Sequence, residues 1–186
     1  MSTTTTPVDN GVDIEFLRGA REALTAEPAG ATFQWRVTNT WVHGTHAKST
    51  VKNFFGLGGE QTREREFQFD ADHPEQFAAE NKGATPPEIL LAALASCLTA
   101  GIATVASHRD IQLRSVTATL EGDQDVRGIL GIDSDIRNGF SGIKVTYSID
   151  ADASPAEIAA MVEQSKKRSA VYDIITNPTN VTVEVA

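Results

Sequence analysis

The feature that most constrains this chain is an uncharged run of 18 residues near its centre, Ile89 to Ala106. That length only touches the lower limit for a membrane-spanning helix. Much of the run is Ala, Gly, Ser, Thr and Cys, which contribute little transfer energy, and Leu90, Leu91, Leu94, Leu98, Ile102 and Val105 supply most of its apolar area. A helix apolar on every face that does not span a membrane lies buried in a globular core, and the run is read that way. Pro86 and Pro87 stand just before it, where proline fits the first turn of a helix. The helix is therefore expected from there to about His108.

Such a helix sets a packing problem in a chain of 186 residues. One small sheet covers only one of its sides. The expected solution is a homodimer in which two of these helices lie together and sheets from both chains wrap them.

The length suits one domain, or one compact domain with an extra arm, and a hydrophobic fraction of 40% is enough for a core. A net charge of −9 argues against nucleic acid and anionic membrane as partners, because both need a basic face. The single cysteine, Cys97, rules out an intrachain disulfide, so nothing points to an oxidising compartment. The opening MSTTTTPVDNG has neither a basic start nor an apolar stretch. No signal peptide is expected there, and the expected location is cytoplasmic.

Residues 1–12 read as a polar, disordered tail. Residues 13–30 read as a helical extension, with Ile14, Leu17, Ala20 and Leu24 at helical spacing, Asp13 as its cap and Pro28 to stop it. The texture then turns aromatic and β-branched. Strands are expected over residues 32–43, 46–54 and 62–70, with Gly56-Leu57-Gly58-Gly59 as a turn lacking the lysine and strand context of a phosphate loop. After the long helix, residues 112–121 and 142–150 alternate as strands, the first placing Val116, Ala118 and Leu120 on one face and the second Ile143, Val145, Tyr147 and Ile149. Ser154, Pro155 and Glu157 mark the start of a last helix with Ile158, Met161, Val162 and Ser165 as its buried stripe. A turn over residues 168–176 and a strand over 181–185 close the chain. The order of strands, long helix, strands, helix and strand indicates an α+β fold.

Cys97 lies in the middle of the long helix, and its neighbours on the same face, Ala93, Ala100 and Gly101, are small. They leave space beside the sulfur for a substrate or for a closely packed second helix. A free cysteine is commonly a small buried hydrophobe, and a reactive one needs a cation or hydrogen-bond donor nearby. None is adjacent in sequence. His43 and His46 are only two ligands without a third and make a weak metal site. The spacing of Asp123, Asp125, Asp133 and Asp135 does not fit a calcium loop, and neither a metal nor a cofactor is expected.

The segment GATPPEILLAALASCLTAG around Cys97 resembles the osmotically inducible protein C and organic hydroperoxide resistance (OsmC/Ohr) family. WVHGTHAKSTV, FDADHP, EGDQDVRGILG and RSAVYDIITNPTNVTV are similar to one branch of it, in the same order. The resemblance covers residues 32–186, so residues 31–186 are taken as an OsmC-like domain. It implies an intertwined homodimer whose long central helices are wrapped by β-sheets. It also implies thiol-dependent reduction of organic hydroperoxides, in which a cysteine on the central helix attacks the peroxide and becomes a sulfenic acid.

Cys97 falls on that attacking position. In the family an arginine and a glutamate organise the thiolate, and a second cysteine after the last helix resolves the sulfenic acid. This chain has Ser169 at the second position and Pro87 where the glutamate is expected. Glu88, nine positions before Cys97, comes roughly 180° around the helix from it and suits the helix N-terminus better. The missing cation has candidates in His46, also readable as an ordinary strand histidine, and in Arg168, also readable as solvated surface. Two functions follow. One is a one-cysteine peroxidase using Cys97, a small organic hydroperoxide and an external thiol reductant. The other is a non-catalytic protein that holds a small apolar ligand in the residual pocket.

Overall fold

The computed structural model describes residues 7–185 and divides into two compact units, Asp13–Leu90 and a second made of Leu91 onward together with the residues up to Val12. In the first, helix α1 (Ile14–Ala26) begins where the Asp13 carboxylate accepts from the Phe16 N–H at 2.8 Å. Strands β1 (Thr38–His43), β2 (His46–Val51) and β5 (Phe67–Ala71) form an antiparallel sheet in the order β1-β2-β5. Between them β3 (Phe54–Gly56) and β4 (Gly59–Gln61) make a tight hairpin. Leu57 and Gly58 carry positive φ of 53° and 78° at its tip, so the Gly56–Gly59 stretch is a turn, as its composition predicts. The expected strand over 62–70 is shorter and begins only at Phe67.

One buried carboxylate organises the loop after β5. Asp72 is 1% exposed and accepts from the Thr45 hydroxyl at 2.6 Å and from the backbone N–H groups of His73 and Lys82 at 2.8 and 3.0 Å. The Thr45 hydrogen bond, followed by those from the backbone, holds its pKa down at about 2.

Helix α2 spans Pro86–His108, the span expected from the uncharged run. Its start is a reciprocal cap: Glu88 accepts from the Thr85 N–H at 2.8 Å and Thr85 accepts from the Glu88 N–H at 3.3 Å. In the second unit, β6 (Leu113–Asp123) and β7 (Gly142–Ala151) pair antiparallel, with Ala118 opposite Tyr147. Helix α3 (Pro155–Arg168) starts with the Ser154–Glu157 capping box that its sequence announces. The core lies where α2, this sheet and α3 meet, around Val105, Ala106, Ile111, Ala151 and Met161.

The expected tail is partly held. Residues 1–6 lie outside the described residues, but Asn10 donates to the Ile111 carbonyl at 2.9 Å and accepts from the Leu113 N–H at 2.8 Å. Two expectations at the other end differ. The stretch read as a turn contains a short helix, α4 (Ala170–Thr176), because Ser169 caps it by accepting from the Tyr172 N–H. Residues 181–185 form no strand: alternation alone does not make one without a neighbour to take its hydrogen bonds. Val181, Val183 and Val185 are 76, 88 and 100% exposed. Helix α2 is buried along Leu94, Leu98, Ile102, Val105 and Ala106 only, while Leu90, Ala92, Ala93, Ser96 and Ala100 face outward. Burial on every side is therefore not achieved within one chain.

Candidate functional site around Cys97

The site rests on two close approaches of α3 and α4 to the middle of α2. The first is at Gly101, where a Cβ would collide with the side chain of Ser165. Ser165 is 2% exposed and donates its hydroxyl to the Leu98 carbonyl at 2.6 Å. The glycine on the face of Cys97 thus serves contact with α3, while Ala93 and Ala100 remain exposed. The second approach is four residues later along the chain. Ser169, 5% exposed, brings its hydroxyl 3.1 Å from the half-buried Cys97 sulfur. That hydroxyl already accepts from the Tyr172 N–H at 3.1 Å. A serine hydroxyl has a single proton, so at this oxygen the proton is directed to the sulfur.

Tyr147 is the third polar group of this region. It comes from the face of β7 that also carries Ile143, Val145 and Ile149. Its phenol oxygen is fully buried and makes no well-formed hydrogen bond among the described residues, with the Thr99 side chain as its polar neighbour. Burial pushes the phenol pKa up, against a smaller lowering by the Thr99 hydroxyl. Alternation in β7 puts Tyr147 on one face with Ile143, Val145 and Ile149, but nothing in the sequence distinguishes its hydroxyl from those apolar neighbours.

The other residues singled out from sequence have identifiable partners or surroundings. His46 Nε2 lies 2.8 Å from an Asp70 carboxylate oxygen, across the β2–β5 pair. Glu88 is engaged in the cap of α2. Arg168 is exposed at the end of α3, directly before Ser169, and makes no ion pair among the described residues. In the acidic loop Asp125 pairs with Arg127 at 2.5 Å, and no group of three metal-ligating side chains occurs among the described residues.

A long central helix presenting one thiol, packed by a two-stranded sheet and a C-terminal helix, defines an OsmC-type α+β protein. The chain belongs to the OsmC-like protein family, whose profile matches residues 79–184. Among solved structures it is similar to an OsmC-like protein from Mycoplasma pneumoniae, at a TM-score of 0.60 and 18% identity over 78% of this chain and 89% of that one. It is also similar to a Legionella pneumophila protein described as an organic hydroperoxide resistance protein OsmC, at 0.54 and 18% over 78% and 90%. A putative osmotic stress induced and detoxification response protein from Psychrobacter arcticus matches at 0.55 and 12% over 74% and 85%. At these identities the likeness is one of fold. No curated protein matches the chain.

Proposed function

We propose that this protein is a one-cysteine, thiol-dependent reductase of organic hydroperoxides, working as a homodimer in the cytoplasm. The observation that carries the proposal is the hydrogen bond from buried Ser169 to the Cys97 sulfur. The bond holds the sulfur in place beside a buried polar group, which positions it for attack on a substrate. The Cys97 thiolate attacks the outer oxygen of the hydroperoxide; the S–O bond forms as the O–O bond breaks, and the substrate leaves as an alcohol. Sulfur loses two electrons in this step and becomes a sulfenic acid. Because the chain holds no second cysteine, an external thiol takes the place of an internal resolving group. It attacks the sulfenic sulfur, releasing water, and a second external thiol cleaves the mixed disulfide and restores Cys97.

Arg168, next to Ser169 in the chain, is the candidate cation of this scheme. His46 and Glu88, paired with Asp70 and Thr85, are given no step. The homodimer is supported by the outward face of α2, where Ala92, Ala93, Ser96 and Ala100 offer a surface shallow enough for a second helix. The lone thiol suits a reducing compartment. The second reading, a non-catalytic protein holding a small apolar ligand, is favoured by one observation: Ser169 stands where a disulfide partner is expected.

Cumene hydroperoxide separates the two. With dithiothreitol present, the purified protein is expected to consume the peroxide. Without reductant, Cys97 is expected to gain one oxygen by intact mass and to react with a sulfenic-acid probe. No adduct and no peroxide loss would leave only the binding role.

A further inference from the structure

The first unit carries an exposed row of stacked rings and guanidinium groups. Residues 33–35 run beside β3, where Gln34 and Phe55 exchange backbone hydrogen bonds at 2.9 and 3.1 Å. That pairing sets Trp35 against Phe54, their ring centroids 4.8 Å apart, and Phe33 over Gly56, where any Cβ would strike its ring. Phe33 in turn stacks on Trp35 at 5.5 Å. Arg63 extends the row: its guanidinium lies 5.1 Å from the Phe54 centroid and 5.8 Å from that of Phe67, and Arg65 lies 5.8 Å from Phe67. Trp35 is nevertheless 65% exposed, and neither arginine forms an ion pair among the described residues.

The second unit carries a surface of the complementary kind. The connection from β6 to β7 has an exposed apolar tip, Ile129, Leu130 and Ile132, the last 67% accessible. The tip is held in shape. Leu130 and Ile132 donate their N–H groups to the Val126 and Arg127 carbonyls at 3.0 and 2.9 Å, and Gly131 supplies a φ of 67°. Gln124 ties the base of the loop to the Asn138 carbonyl at 2.7 Å. Asp133 and Asp135 follow the tip directly, and neither pairs with a cation among the described residues, whereas Asp125 pairs with Arg127. Ordered aliphatic side chains grouped in water mark a surface that another surface covers.

The two surfaces fit one another: aliphatic tip to aromatic faces, free carboxylates to free guanidinium groups. Glu64 and Glu66 beside the arginines, and Arg137 in the loop, make this a match of local pairs and not of net charge. Because one chain carries both surfaces, a second copy supplies the complement to each, and a two-fold dimer makes the contact twice. We propose that in the homodimer the loop over residues 129–135 of each protomer docks on the Phe33–Trp35–Phe54 row of its partner, with Asp133 and Asp135 meeting Arg63 and Arg65. The contact rests on the dimer of the proposed function and not on its peroxide chemistry.

Trp35 reports on the contact directly once Trp41→Phe leaves it the only tryptophan. In that background the dimer is expected to shield Trp35 from acrylamide. Ile132→Asp, a change confined to the other unit, is expected to raise its quenching. Charge reversal supplies a second readout. Sedimentation is expected to show association weakened by about tenfold or more when Arg63→Glu and Arg65→Glu are made together, and likewise for Asp133→Arg with Asp135→Arg. Combining all four changes is expected to restore it, which a merely misfolded variant would not do. Unaltered association in both charge-reversed variants, or no recovery when they are combined, would overturn the contact while leaving the dimer standing. So would Trp35 quenching indifferent to Ile132→Asp. A parent protein that sediments as a single chain would overturn the dimer and this contact together.

Discussion

The Ser169 hydroxyl is shared between two tasks: it accepts from Tyr172 to cap α4 and donates to the sulfur of Cys97. Replacing it with cysteine keeps the size and trades oxygen for sulfur, 3.1 Å from the existing thiol. Ser169→Cys treated with one equivalent of cumene hydroperoxide is expected to form the 97–169 disulfide with loss of water, as a mass lower by two hydrogens than the reduced variant. A stable sulfenic acid in that variant would show that the two side chains do not meet in solution. How much of this pair the sequence reveals is uneven. Cys97 stands out as the only cysteine, and Ser169 was found through family resemblance. Nothing in the sequence marks the Tyr147 hydroxyl as buried, because that depends on tertiary packing, which no local pattern encodes.

At the level of elements, starts are more legible than ends. The reciprocal caps at Thr85–Glu88 and Ser154–Glu157 are short-range hydrogen bonds, so residue types three apart announce them. Helix α4 is harder: AVYDIIT is rich in β-branched residues, which weakens its intrinsic helix signal, and a single serine cap makes the difference. Residues 181–185 fail as a strand for the opposite reason, since their pattern is strong but a strand needs a neighbour. Close helix contact is the element-scale quantity most open to test. Gly101→Ala improves helix propensity by about 1 kcal/mol but drives a methyl into Ser165, and overpacking typically costs about 1–3 kcal/mol. The thermal midpoint is expected to fall by several degrees. A rise would mean that α3 moves away freely.

For the whole molecule, the unanswered demand is the outward side of α2 and the exposed Trp41, Val181, Val183 and Val185, between 70 and 100% accessible. A soluble monomer rarely leaves so much apolar surface uncovered. Sedimentation of the parent protein is expected to give about twice the chain mass of 19.9 kDa. Ser96→Glu puts a charge on the exposed small-residue face and is expected to shift the protein toward 19.9 kDa. A parent protein that sediments as a single chain would remove the dimer, and a dimer indifferent to Ser96→Glu would move its interface elsewhere. The amino-acid pattern anticipated this demand from the uncharged run alone, because a helix without a polar side cannot be satisfied by one small sheet.

The Ser165–Leu98 contact has a mechanical meaning for the sulfur one step away from it. Ser165 is clamped to the backbone of α2, and Ser169 follows it by one helical turn's worth of residues. The two contacts therefore hold α2 at neighbouring points, one within α3 and the other at the residue that joins α3 to α4. The close approach at Gly101 brings the backbone of α3 up to α2, and the rotamers of Cys97 and Ser169 complete the 3.1 Å contact. An oxygen or a sulfur at position 169 would start from the same backbone position beside Cys97, so exchanging that one atom would change the chemistry offered to the thiol while leaving these backbone contacts untouched.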